Sequence, residues 1–533
     1  MERVDCLFVH VPKLRNYYRP IGSFLWINFL PMGLLALADF LDRNGFPSQV
    51  LHLGVEWIED PRFSLIRYIR QKNPRIVALD LHWHHQSYDV LEVAKRVKQS
   101  IPQAYLLLGG FTASLFHEEI LRNFDEVDGI LRGEAEIPLL ELARALLKGE
   151  REFFSIPNLT WRRNRRILVN PLSYVASEAD LNRLSFTNFR LLKNHSTYIR
   201  FIGQPFYVKG VSKEKNFWMY SLKSPVYHLP LGRGCPVQCT WCSGNIPCQS
   251  TITGRKRVTF RGVEEVLQSI EEALSFGYET FHICFDPYPG KPDYFLELFS
   301  RIRKEKIQME CFFEAFGLPT AAFIRSFKET FPGPKSLLAL SPDVGSDRLR
   351  AIHKGYPYTN RELMGCLDQL KDHGVFCDLF FTLGVPFERE EDLGQTIRLQ
   401  REIRSRYPNV RGIRTFTIEL EPGSPWHLDP ERFGVKTRLW NFMDFYHYHS
   451  GRENAFSSLG YWIPDYFEGV RNGREFERRL LQLKCKKFCF IHPDARRSSP
   501  PFWGRRLCGL SNLFWRAKGI FQKESSPMDG IGD

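Results

Sequence analysis

At 533 residues the chain is too long for one ordinary hydrophobic core, and with 43% hydrophobic residues it holds material for two or three domains. The net charge of +13 does not imply a nucleic-acid-binding body, because much of the excess lies in one Lys- and Arg-rich segment, from Arg471 to Lys523. Its 12 Cys follow no extracellular disulfide framework, which argues against a secreted scaffold and for a reducing cytoplasm.

Residues 4–11 read as a buried strand. Residues 20–38 carry no charge, but Asn28, Pro31 and Gly33 interrupt the run, so it reads as an apolar loop entering a helix rather than a membrane span. A helix over 32–45, a strand over 48–53, an amphipathic helix over 63–73, a strand over 75–81, a helix over 87–100 and a strand over 104–110 follow. Residues 128–133 and 134–149 add one more strand and helix. Strands that are apolar throughout and separated by helices predict an α/β fold, with a doubly wound parallel sheet over residues 1–150. Gly109 and Gly110 close one of these strands, where such a sheet brings a ligand close to backbone. Residues 151–225 read as a linker with a small hairpin turning at Asn164-Arg165.

The stretch GRGCPVQCTWCSGN, residues 232–245, places Cys235, Cys239 and Cys242 at C-x3-C-x2-C spacing. That spacing cannot put three thiols on one face of a regular helix, so Gly232, Gly234 and Pro236 read as a loop around a soft metal centre. Zinc closed by Cys248 as fourth ligand is one reading; an iron-sulfur cluster with one open iron is the other. Beyond the loop the βα rhythm returns for about six units from Val226 to Leu420, which predicts a partial (β/α)6 barrel over 226–430 with its chemistry at the strands' carboxyl ends. Glu314 ends one of these strands, facing substrate or solvent. Trp426 and His427 face substrate or pack.

Residues 431–533 form a basic extension. Cys485, Cys489, His492 and Cys508 within it read as free cysteines or a second metal site. Phe502, Trp503, Leu507, Leu510, Phe514, Trp515 and Ile520 among the basic residues suit an anionic membrane surface, so a cytoplasmic protein peripheral to a membrane is expected.

With Trp241 before the last Cys, the thiol loop resembles the signature of the radical S-adenosylmethionine (SAM) family. The resemblance implies a 4Fe-4S cluster on Cys235, Cys239 and Cys242, SAM chelating the open iron, and a low-potential electron donor of flavodoxin or ferredoxin type. It carries SAM binding to Trp241, to Asp286 in FDPYPG, to Ser341 and Asp343 in LSPDVGSDRLRAIHKG, and to Gly384 in LFFTLGVPF. In the first region, LLLGGFTASLFHEEIL and VDGILRGEAEIPLLEL resemble the cobalamin-binding domain that precedes many radical SAM domains. That resemblance assigns Asp80, Leu81, His82, Gly109 and Gly110 to cobalamin. The family's Asp-x-His-x-x-Gly is absent from the loop after the first strand. An imidazole of LHWHHQ (His82, His84 or His85) then reaches cobalt, or Trp83 covers its lower face. The whole resembles a cobalamin-dependent radical SAM enzyme, which implies a 5′-deoxyadenosyl radical and C–H functionalisation, methylation among the possibilities. Two alternatives stand beside it. A methylthiotransferase acting on RNA or protein needs three cysteines in its N-terminal domain, whereas residues 1–234 contain only Cys6. A non-catalytic cobalamin sensor has no use for an open cluster.

Overall fold

The computed structural model describes residues 3–12, 30–60, 62–203, 225–284, 291–450 and 460–464. The expectations on Asp286, on Cys485, Cys489, His492 and Cys508, and on the apolar basic tail fall outside these residues.

Seven strands form the first sheet: β1 (Cys6–His10), β2 (Ser48–His52), β3 (Ile76–Asp80), β4 (Tyr105–Gly109), β5 (Gly129–Leu131), β6 (Leu159–Arg163) and β7 (Arg166–Val169). Their order is β2-β1-β3-β4-β5-β6-β7, parallel through β5. This is a doubly wound sheet, and its strand order reverses between β1 and β3, where such sheets open a crevice beyond their carboxyl ends. In β4, Leu106, Leu107 and Leu108 are all buried because helices cover both faces. The helix Ser87–Ser100 turns Tyr88, Leu91 and Val97 inward against one face. Burial of each such Leu or Val contributes roughly 1.5–3 kcal/mol.

The hairpin after residue 151 is not a linker element. Asn164 and Arg165 both take positive φ, 47° and 63°, and β6 pairs antiparallel with β5, extending the sheet. The apolar side of β6, with Leu159 and Trp161 almost fully buried, needed a sheet to lie on.

The second sheet is parallel and sequential, β15-β14-β13-β12-β11-β8, from β8 (Val226–His228) through β11 (Thr280–Ile283), β12 (Glu310–Ala315), β13 (Leu337–Asp343) and β14 (Cys377–Leu383) to β15 (Val410–Thr417). Among the described residues β8 and β15 are its free edges, so the six strands make an open, partial barrel. Between β8 and β11, β9 (Gly232–Arg233) and β10 (Thr259–Phe260) pair antiparallel and bracket the thiol loop. A short ribbon of β16 (Lys436–Thr437) and β17 (Tyr461–Trp462) follows the barrel. The helix Phe442–Ser450 turns back onto the first sheet, where Phe442 and Tyr446 join its core.

Candidate active site: a thiol loop and a cavity between two sheets

The loop from Cys235 to Asn245 is held by its own backbone. Ile246 N donates to Cys235 O at 3.0 Å, Asn245 Nδ2 to Cys242 O at 2.6 Å, and Gly244 N to Cys242 Sγ at 3.2 Å. From outside, Thr240 N donates to His353 O, and Thr240 Oγ1 accepts from Trp426 Nε1 at 3.0 Å. Trp241 lies edge-on to Trp426, ring centroids 6.1 Å apart, in an apolar cluster beneath the loop. Trp426 and His427 are buried, so both pack rather than face substrate. Gly355 backs the loop: a Cβ there would overlap the backbone of Gln238.

Burial pushes the Cys239 thiol up to about 11 and raises Cys242 as well, and the neighbouring thiols add to both shifts. Three thiols so close that ionising one opposes the next are a donor set that a soft cation stabilises. Cys248 sits apart in the helix Ile246–Ile252, whose N-terminus Asn245 caps. Glu421, beside Cys242, accepts from Ser243 N at 2.8 Å. Sequence reading missed it because this contact joins residues 178 positions apart.

Above the loop, the residues assigned to SAM are already engaged. Asp343, at φ 61° beside an irregularity in β13, accepts from Lys354 Nζ at 2.9 Å, and the same ammonium donates to Ser341 O at 2.8 Å. Ser346 caps the following helix. Gly384, at φ 75°, donates its N–H to Glu388 and accepts from the Tyr461 hydroxyl, so both its backbone polar atoms are taken. Glu388 is therefore a buried acceptor of a backbone N–H.

A cavity of about 880 Å³ opens where the carboxyl ends of β1, β3, β4 and β5 face the thiol loop. His10, Asp80, His82, Gly109 and Gly110 line it from the first sheet; Arg233 and Gly234, next to Cys235, line it from the other side. Leu81 does not line it: its side chain is fully buried in the core on the opposite side. Gly110 takes φ 104°, and a Cβ on it would meet the backbone of Leu81 and His82 at 2.8 Å. Of the histidines after β3, His82 and His85 reach the cavity, whereas His84 turns away into a buried contact with His449. Trp83 lines the cavity with 43% of its surface free. Desolvation at the cavity wall draws the His82 imidazole below its usual range, with Asp80 pulling the other way, although the residue's surface is open to the cavity.

His10 Nδ1 lies 2.6 Å from Asp80 Oδ2, which leaves His10 Nε2 and Asp80 Oδ1 buried without a hydrogen-bond partner. Orphaned polar atoms on a cavity wall cost about 1–3 kcal/mol each unless a ligand meets them. With the close backbone at Gly110, they fit a large ligand carrying amide and phosphate groups. His10 sits in plain view at the end of the first strand; what sequence could not show is that Asp80, 70 residues on, orients it.

The barrel's inner face carries a second polar group. Glu314 lies between His282 Nε2 at 2.9 Å and the Cys284 thiol at 2.9 Å, and the His228 ring stands 4.9 Å from that of His282. Burial works to raise the Glu314 pKa, but the charge and hydrogen bond of His282 and the thiol's donation outweigh it and hold the carboxyl below its usual range. Desolvation and that carboxylate in turn raise Cys284, although its surface is exposed, and it stays a thiol.

A doubly wound sheet and a partial parallel barrel facing one cavity define a two-domain α/β enzyme with its site at the seam. Residues 28–143 match the B12 binding domain and residues 229–399 match the radical SAM superfamily. The chain joins a B12-binding domain to a radical SAM domain, and the cofactors of these domains are a 4Fe-4S cluster, SAM and cobalamin. An uncharacterised methyltransferase of Pyrococcus horikoshii is 22% identical over 423 residues, 77% of this chain and 78% of that protein. The hopanoid C-3 methylase of Methylococcus capsulatus is 26% identical over 125 residues, 23% of this chain and 24% of that one. Among solved structures, the radical SAM methyltransferase TsrM from Kitasatospora setae, with cobalamin and a 4Fe-4S cluster bound, aligns with a TM-score of 0.65 at 14% identity, over 97% of this chain and 98% of that one. The cobalamin-dependent SAM radical enzyme OxsB, with aqua-cobalamin and SAM bound, aligns with a TM-score of 0.61 at 10% identity, over 97% and 72%. At these identities the structures establish a shared fold. Among the described residues no helix is long and apolar enough to cross a membrane.

Proposed function

We propose that the chain is a cobalamin-dependent methyltransferase, with Cys235, Cys239 and Cys242 holding the cluster and with Asp80, His82, Gly109 and Gly110 holding cobalamin. One observation carries this reading: Gly234, adjacent to Cys235, and the Gly109-Gly110 turn line the same cavity. When bound, the cluster with SAM supplies a 5′-deoxyadenosyl radical and cobalamin supplies a methyl group. The chain's own work is positional. Trp241 and Thr240 fix the loop from below, Gly355 lets it seat, and Gly110 brings backbone against the ligand. His10, oriented by Asp80, offers Nε2 to a polar group on the cofactor. Substrate enters on the barrel's inner face, where the Glu314 carboxylate between His282 and Cys284 accepts a proton or holds an ammonium group. Lys354 neutralises Asp343 beside Cys239, and the pair supports SAM from the far side of the loop. A low-potential flavodoxin or ferredoxin supplies the electron, and the basic tail rests on an anionic membrane surface.

The test is anaerobic incubation of reconstituted protein with SAM, cobalamin and dithionite. Both 5′-deoxyadenosine and S-adenosylhomocysteine should form, the first ceasing in Cys239→Ala and the second in Gly110→Ala. An iron-loaded wild type that leaves SAM intact contradicts the reading.

A further inference from the structure

Two of the histidines after β3, one turned from the cavity and one on its wall, meet two other parts of the chain. His84 and His85 leave β3, Glu419 lies just beyond β15, and His449 projects from the helix Phe442–Ser450. One ligand atom from each of His84, His85 and Glu419 lies within 4.8 Å of the others. His84 Nδ1 is 3.0 Å from His449 Nε2, and His85 Nε2 is 2.6 Å from Glu419 Oε2. The His84 and His85 rings stack at 4.0 Å, and the His449 ring is 5.1 and 5.4 Å from them.

Three imidazoles and a carboxylate gathered from three separate segments form a first-row metal donor set. Protonated imidazoles at this spacing repel one another, and His84 and His449 are about 95% and 94% buried, so charging them is costly. Neutral imidazoles have lone pairs to offer a cation. Zinc ligands bound at about 2.0–2.1 Å stand roughly 3.3 Å apart in a tetrahedron, so the His84–His449 pair would open by about 0.3 Å and the His85–Glu419 pair by about 0.7 Å. Local packing steadies the His84 segment: Ser87 Oγ donates to the His84 main-chain O at 2.6 Å, and Phe445 stands edge-on to the His84 ring at 5.2 Å.

We propose that His84, His85, His449 and Glu419 bind a zinc ion that ties the first sheet, the last barrel strand and the following helix together. The site is distinct from the thiol loop, because its donors are nitrogen and oxygen alone. It borders the cavity, which His85 lines and His84 and His449 do not.

Zinc and iron contents of the full chain, isolated anaerobically from zinc-supplemented medium, together with zinc K-edge absorption, test this. One zinc per chain is expected, with nitrogen and oxygen at about 2.0–2.1 Å, imidazole outer-shell scattering and no sulfur at about 2.3 Å. His449→Ala and Glu419→Gln should lower zinc at least roughly tenfold with iron retained. The wild-type absorption spectrum stands even where a variant fails to fold. Protein without zinc, and without a rise in Tm on adding zinc chloride, overturns the proposal. A sulfur shell does so too, since it puts the zinc in the thiol loop.

Discussion

Cys235, Cys239 and Cys242 differ from Cys248 in their surroundings. The three share one loop, in which neighbouring thiols help to raise Cys239 and Cys242, whereas Cys248 is a buried helix residue behind an Asn cap. Each of Cys235→Ala, Cys239→Ala and Cys242→Ala should bring bound iron and SAM cleavage to background. Cys248→Ala should keep both and cost about 1 kcal/mol of stability. Loss of iron on changing Cys248 would show a four-ligand centre. His82 is the one histidine after β3 that reaches the cavity outside the cluster with Glu419 and His449. Paramagnetic resonance of the cob(II)alamin form should therefore show nitrogen splitting that disappears in His82→Ala and persists in His84→Ala. An unsplit wild-type spectrum would instead put Trp83 against cobalt.

At the scale of elements, the thiol loop depends on what stands behind it. A Cβ at Gly355 would overlap Gln238, within the three-cysteine segment, so Gly355→Ala should abolish cluster loading while far-UV circular dichroism stays unchanged. Retained iron in that variant would mean the loop has slack. The strands and helices themselves were readable because burial writes its period into the chain: Leu106 to Leu108 announce a strand covered on both faces, and the helix Ser87–Ser100 matches its expected span. The glycine turn and the thiol spacing were legible for the same reason, being local. Pairings across the fold were not. Asp80 with His10, Asp343 with Lys354 and Glu421 with Ser243 join residues whose spacing has no period, and Leu81 could be assigned to the opposite wall only once the neighbouring helix was placed. The hairpin at Asn164-Arg165 was visible as a turn but not as the edge of the first sheet.

Across the whole molecule, a buried ionic network joins the two sheets at the cavity. Glu134 takes Arg255 Nε at 2.5 Å and Arg233 Nη1 at 2.9 Å, and Arg233 also pairs with Glu136. Burial works to raise the Glu134 pKa, but Arg255 and Arg233 outweigh it and hold it below the ordinary 4.5. A depressed carboxylate stabilises the fold fully above its unfolded value and loses that contribution as pH falls through the folded one. Glu134→Gln leaves the buried Arg255 without its carboxylate, while Arg233 keeps Glu136, so it should cost about 3–5 kcal/mol near pH 7, and the gap from wild type should close below pH 4.5 in thermal unfolding. A pH-independent gap would assign the effect to packing. The same seam puts Arg233 and Gly234 on one cavity with Gly109 and Gly110, so the proposed assignment would set the cluster and cobalamin side by side. The most direct test is paramagnetic resonance of anaerobic, dithionite-reduced protein reconstituted with iron, sulfide and cobalamin. We expect one cobalamin per chain, with cob(II)alamin and reduced-cluster signals broadened by mutual spin coupling, and the cob(II)alamin signal returning to its isolated form in Cys235→Ala. Fully iron-loaded protein that releases cobalamin on desalting, or that shows two uncoupled signals, would contradict a shared site.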